Sequence, residues 1–139
     1  MNFWLKKNEK DLEIREIENF IAGATGKQAS LCHFGGTCSS FFCLNYDGKI
    51  YPCDRLSDNP EFLLGDLSKQ SLVRIFNGPE RLKYIKKINY LTNGCLKCVW
   101  KNACHNGCFD CRKENGEYYF CQARKKTFTH IKGIINNLS

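Results

Sequence analysis

The sequence predicts a small α+β domain: one β-hairpin, several short helices, long cysteine-rich loops and a helix at each end. Three observations predict it. Ten cysteines occur in 139 residues, a density that marks a chain cross-linked by disulfides or by metal. An Asp-Gly turn signal lies between two short apolar runs. Helical spacing of apolar residues is strongest at the two ends and in two short stretches between.

Residues 11–24 (DLEIREIENFIAGA) put Ile14, Ile17, Phe20, Ile21 and Ala24 on one helical face, with Gly26 as a stop. Residues 40–53 (SFFCLNYDGKIYPC) predict the hairpin, with a two-residue turn at Asp47-Gly48. Pro52 has no N–H for a ladder, so the second strand should stop there and hand Cys53 to a loop. Residues 68–77 and 79–89 predict two short helices, Gly78 closing the first and Pro79 opening the second. From Thr92 to about Glu117 the chain is Gly-, Asn- and Cys-rich and predicts loop folded around metal. Helical spacing resumes over 118–138, aligning Phe128, Ile131, Ile135 and Leu138. The apolar faces of the first and last helices exceed what so small a core would bury, which predicts an exposed face suited to docking.

The opening residues, MNFWLKKNEKDLEIREIENF, contain no apolar run like the core of an export signal, and no later segment has the length of a membrane span. The expectation is a reducing cytoplasm, in which the cysteines act as metal ligands rather than disulfides. The formal charge is +7. Lys83, Lys86 and Lys87 fall on one predicted helix and Arg124, Lys125 and Lys126 on another. They read as solvated faces, without the interleaved aromatic platform of a nucleic-acid groove. Neither nucleic acid nor membrane is expected as a partner.

Cys95, Cys98, Cys104 and Cys108 spell C-x2-C-x5-C-x3-C, and Cys121 follows thirteen residues later; Cys32, Cys38 and Cys53 lie upstream. Thiolates on short loops can reach a common centre and grip a soft metal or an iron–sulfur cluster. The run of four could close on zinc by itself. Two sites of four instead require one member of the run to cross to the upstream group, as in two-cluster ferredoxins.

The segments CHFGGTC (32–38), NYDGKIYPCD (45–54), LGDLSKQSLVRIF (64–76), CLKCVWKNACHNGC (95–108) and YYFC (118–121) together resemble the SPASM domain. That is the C-terminal auxiliary-cluster region of peptide-modifying radical SAM enzymes, and the likeness is strongest to anaerobic sulfatase-maturating enzymes. It spans roughly residues 30–130. The resemblance implies three stretches: 1–30, a connector from a radical SAM core absent from this chain; 31–130, the twin-cluster domain; and 131–139, the end of the last helix.

The resemblance further implies two [4Fe–4S] clusters, the first on Cys32, Cys38, Cys53 and Cys108 and the second on Cys95, Cys98, Cys104 and Cys121. Each cluster would bring about two negative charges, leaving the loaded domain near +3. With every iron held by protein, the implied role is electron transfer and substrate positioning. Asp54 matches an Asp proposed to deprotonate the substrate Cys or Ser in those enzymes; it reads equally as a carboxylate capping its loop. S-adenosylmethionine would enter only through the core. Implied partners are that core as a domain or subunit, a peptide or sulfatase-like substrate, and a ferredoxin or flavodoxin.

Cys104, Cys108 and Cys111 also spell C-x3-C-x2-C, the pattern that holds the SAM cluster itself. That reading fails, because a βα barrel needs roughly 200 residues and only 28 follow Cys111. Gly35-Gly36 is followed by Thr37 rather than Glu. The chain thus reads as a fragment, truncated gene or split subunit of a radical SAM oxidoreductase, with no SAM-cleaving site of its own. A free-standing iron–sulfur carrier, a peptide-binding module and a structural zinc module are the alternatives. Cys43 reads as a buried free thiol and Cys111 as a spare thiol or alternative ligand. His33 and His105 read as loop polar groups beside ligands, and Trp100 as a shield against water.

Overall fold

The computed structural model describes residues 13–137. Residues 11 and 12 of the first expected helix, the start of the expected connector, and Leu138 and Ser139 lie outside that range. Helix α1 is Arg15–Ala24, with Glu16 and Glu18 in its first turn, where carboxylates complement the helix dipole. Buried Asn19 ties it to the segment before Cys32: its Oδ1 accepts from Leu31 N at 2.9 Å, and its Nδ2 donates to Ser30 Oγ at 3.1 Å. Helix α2, Cys32–Gly35, follows directly.

Strands β1 (Cys43–Leu44), β2 (Lys49–Tyr51) and β3 (Gly65–Asp66) form an antiparallel sheet in that order, with Leu44 opposite Ile50 and Ile50 opposite Gly65. The hairpin stands where expected and β2 stops before Pro52, but its turn is not the two-residue one. Asn45 N donates to Lys49 O at 2.9 Å, leaving Tyr46, Asp47 and Gly48 as a three-residue loop. Only Gly48 takes positive φ, at 83°. A type I turn followed by one left-handed residue needs a single glycine, whereas the two-residue turn needs two permissive positions. Strand β3 was not foreseen. Two residues are too few to show alternation, and their pairing with β2 comes from tertiary contact.

Helix α3 is Leu72–Phe76, shorter than the expected 68–77, because Asp66 Oδ1 captures Ser68 N at 2.9 Å and holds that stretch as a turn. Ser71 then caps the helix through Arg74 N. Helix α4, Pro79–Asn89, has the expected bounds with Pro79 in its first turn. The cysteine-rich stretch is more ordered than loop: α5 (Asn93–Leu96), α6 (Lys101–Cys104), a 3-10 turn at Phe109–Cys111 and a bridge between Arg112 and Tyr118 interrupt it. Helix α7, Cys121–Asn136, ends the described chain.

Two apolar cores result. Ile50, Leu56, Leu64, Ile75, Tyr84 and Ile88 pack the sheet against α3 and α4, with Cys38, Cys53 and Phe109 at the border. Ala24, Phe34, Phe128 and Ile131 pack α1 and α2 against α7, with Trp100 and Cys104 at the border. Phe20 meets Phe34 and Phe128 edge-on at 4.8 and 4.9 Å. The terminal helices therefore bury their apolar faces on each other, and the exposed docking face expected there is absent among the described residues. Exposed apolar side chains lie elsewhere, including Tyr46, Val73 and Val99.

Candidate metal centres

The structure sorts eight cysteines between two places. Cys32 opens α2, Cys38 opens the 3-10 turn Cys38–Ser40, Cys53 precedes the 3-10 turn Asp54–Leu56, and Cys108 precedes the one at Phe109–Cys111. These four line one cavity of about 350 Å³. Cys95 in α5, Cys98 between helices, Cys104 at the end of α6 and Cys121 at the start of α7 border a second, tighter space of about 20 Å³. Short helical turns supply or flank most of these positions, which holds their backbone rigid at the cavity walls.

The donor chemistry suits a soft metal cluster. Burial, then the neighbouring Cys32 and Cys108, push the Cys38 thiol up to about 12. Burial also raises Cys53 and Cys121. Four thiols facing one another in low dielectric cannot all ionise unless cationic metal compensates them. Among the described residues no three His, Cys, Asp or Glu side chains converge tightly enough for one ion. The cysteines of each set instead line a shared space, and an iron–sulfur cluster takes one thiolate per iron across such a space.

Two arginines bind the frame around these cavities. Arg112 donates to Asn106 O at 3.1 Å and Ile88 O at 3.0 Å, joining α4 to the loop between Cys104 and Cys108. Arg124, expected on a solvated face with Lys125 and Lys126, is only 6% exposed. Its Nη1 donates to His33 O at 2.8 Å and lies 3.9 Å from Cys104 Sγ. Its largely polar neighbours on α7 give no hint of this, since the ring faces that receive it most closely come from Phe34 and Tyr118.

Asn106 was not singled out by sequence reasoning either. It is buried at φ 60°, its Oδ1 accepting from Tyr118 N at 3.1 Å and its Nδ2 donating to Gly116 O at 2.9 Å. The Asn-Gly pair between two cysteines was the available signal, because both residues tolerate left-handed backbone.

Asp54 is exposed on the lining of the first cavity, and its carboxylate makes no hydrogen bond or ion pair among the described residues. The loop-capping role thus finds no partner there. Cys43 is half-buried rather than buried: β1 is an edge strand, and its Sγ faces the first cavity, 3.5 Å from Asn45 Oδ1. Cys111 is also half-buried, 4.0 Å from Arg55 Nη1. His33 lines the first cavity; burial, then Arg124 and Arg55, lower its imidazole pKa. His105 adopts left-handed backbone, with φ 49°. Trp100 stacks on Phe128 at 5.1 Å and walls the second cavity.

A small α+β frame that brings cysteines together at two cavities has the donor chemistry of a cysteine-ligated cluster domain. Residues 32–112 match the SPASM iron–sulfur cluster-binding domain, more than half of the chain, and the protein belongs to that family. It is similar to a cysteine-type anaerobic sulfatase-maturating enzyme of Clostridium perfringens strain 13, at 28% identity over 140 residues. That alignment takes in 94% of this chain and 38% of the enzyme. A serine-type anaerobic sulfatase-maturating enzyme of Bacteroides thetaiotaomicron is 24% identical over 135 residues, covering 92% of this chain and 32% of its own.

Among solved structures, native anSMEcpe with bound AdoMet and Cp18Cys peptide superposes with a TM-score of 0.76 at 28% identity, over 99% of this chain and 41% of that one. The chain thus spans about two fifths of the length of the first of these relatives, corresponding to their C-terminal part. The mixed fold, with its small antiparallel sheet and a helix at each end, is that of their SPASM region. The carrier and zinc-module alternatives are not favoured. Among the described residues no helix is long and apolar enough to cross a membrane.

Proposed function

We propose that this chain holds two [4Fe–4S] clusters and serves as the auxiliary domain of a sulfatase-maturase-like radical SAM oxidoreductase. Cys32, Cys38, Cys53 and Cys108 would hold the first cluster, and Cys95, Cys98, Cys104 and Cys121 the second. The observation that supports this reading is that Cys32, Cys38, Cys53 and Cys108 line one cavity, with Cys43 on its edge strand beside them, while Cys95, Cys98, Cys104 and Cys121 line another. When bound, such clusters supply one-electron storage and transfer. With four thiols available to each, no iron need stay open to substrate.

The chain's own residues then bind, insulate and orient. Trp100, Tyr118 and Phe128 keep water from the second cavity, and Phe42 and Phe109 wall the first. Asp54 stands on the first cavity's rim as the candidate base for a substrate Cys or Ser on the way to formylglycine. The SAM-cleaving core would be a separate domain or subunit, reached through a connector over residues 1–30, with the cluster domain at 31–130 and the helix end at 131–139. A peptide or sulfatase-like protein is the proposed substrate. A ferredoxin or flavodoxin is the proposed redox partner, and a reducing cytoplasm the proposed compartment.

Anaerobic purification with iron, sulfide, zinc and the visible spectrum measured on one sample tests this. The expected result is iron and sulfide in equal amounts, about eight of each per chain. Colourless, zinc-loaded protein, or half that iron, would overturn the two-cluster reading.

A further inference from the structure

Arg124 presents a charge problem that the fold alone does not solve. Its side chain is buried, yet no Asp or Glu among the described residues forms an ion pair with it. A buried, unpaired cation is costly, and natural proteins compensate it with an anion or expel it. The half-buried guanidinium of Arg112 is handled differently. Arg112 spends its donors on backbone carbonyls of Lys87, Ile88, Tyr90, His105 and Asn106. Among the described residues Arg124 has a single carbonyl, His33 O at 2.8 Å, and then Cys104 Sγ at 3.9 Å.

Its other contacts among the described residues are ring faces: Phe34, 4.0 Å from the guanidinium carbon, Tyr118 at 4.8 Å and Phe20 at 5.9 Å. Aromatic faces attract a cation but supply no net negative charge. The fixed anion that fits this position is the thiolate of Cys104 together with whatever metal group it carries. Lys101 and Lys125 border the same space but are more exposed, so solvent screens them more strongly.

We infer that Arg124 is the charge-positioning residue of the second centre, holding Cys104 and raising that centre's reduction potential relative to an uncharged side chain. The inference rests on the two-cluster reading. A reduced cluster carries one more negative charge than the oxidised one, so a desolvated cation beside a ligand sulfur favours the reduced form. The same guanidinium anchors the backbone carbonyl of His33, next to Cys32 of the first set. It therefore ties the two cavities into one frame.

Redox potentiometry followed by electron paramagnetic resonance, on the anaerobically isolated 139-residue chain, tests this. The variants are Arg124→Gln, which removes the charge, and Arg124→Lys, which keeps it. In wild type two cluster signals are expected; fewer would overturn the two-cluster reading and this inference together. With both present, Arg124→Gln should lower the midpoint of one centre only, cutting its reduced-to-oxidised ratio at fixed potential about tenfold, or about 59 mV for one electron. Arg124→Lys should stay near wild type.

Loss of one centre in Arg124→Gln but not in Arg124→Lys would also support the inference, since charge is what the two variants do not share. Three results would overturn it with both wild-type signals intact: no midpoint change in Arg124→Gln, equal shifts in the two variants, or loss of a centre in both.

Discussion

Asn106 Oδ1 accepts a hydrogen bond from Tyr118 N at 3.1 Å, and this buried contact closes the loop that carries Cys108 and Cys111 onto the segment leading into α7. The Asn106 amide also reaches Gly116 O at 2.9 Å, so one side chain satisfies backbone groups on both sides of the loop. Truncation strands the buried Tyr118 N–H and the part-buried Gly116 C=O. Asn106→Ala is expected to cost about 2–4 kcal/mol, at 1–3 kcal/mol per unsatisfied buried group. Anaerobic denaturant unfolding measures it; a loss under half a unit would show that water replaces the side chain.

Gly107 follows with φ 59°, and a Cβ there would lie 2.5 Å from the Tyr118 ring. Left-handed backbone and ring overlap both oppose a side chain. Gly107→Ala should destabilise by about 2–4 kcal/mol, combining strain with overpacking. Gly94→Ala is the control, since only Thr92 Oγ1, at 3.8 Å, lies within contact distance of a Cβ built there. Equal thermal midpoints for the two variants would refute the steric argument.

Arg112 forks across several carbonyls at once, which a lysine ammonium on a single flexible stem does not reproduce. Arg112→Lys is expected to lose about 1.5–3 kcal/mol despite conserving charge. Unchanged stability would mean that charge, not the planar fork, matters at this position.

Cys108 and Cys111 separate proposed ligand from bystander. Cys108→Ala should remove about half of the bound iron by dissolving the first set, while Cys111→Ala should leave iron content unchanged. Equal iron loss from both variants would overturn the proposed ligand assignment.

Acid should strip the metal. Burial holds the Cys38 thiol near 12 and raises Cys53 and Cys121, so these three thiols keep their protons at neutral pH without metal. Each sulfur that binds metal releases one proton. The loaded state therefore holds fewer protons, and lowering pH favours release. Iron retention against a chelator, followed by visible absorbance, should weaken about tenfold per pH unit for each proton exchanged. Retention independent of pH between about 6 and about 8 would refute proton-coupled loading.

Much of the site was legible before any fold was known. The spacing of Cys95, Cys98, Cys104 and Cys108 is local, and short loops confine their sulfurs whatever surrounds them. The hairpin was legible from Asp47-Gly48 and Pro52, because turn chemistry acts over a few bonds. Its loop length was not, since Asn45 and Lys49 chose the pairing. Strand β3 and the burial of the terminal helices were also illegible. Both depend on surfaces that meet only after the chain has folded.

Taken by itself, the chain's order of residues determined the cysteine inventory and its spacing, the hairpin, Pro79 at the start of α4 and the helical pattern of α7. Each is a short-range property of backbone and side-chain chemistry. Tertiary structure alone decided which thiols share a cavity and which cation stands beside them. Arg124 and His33 are 91 positions apart, and Arg55 and Asp110 are 55 apart. No periodicity reaches that far; such contacts form only when burial of Phe34, Phe128 and Ile50 brings distant segments together.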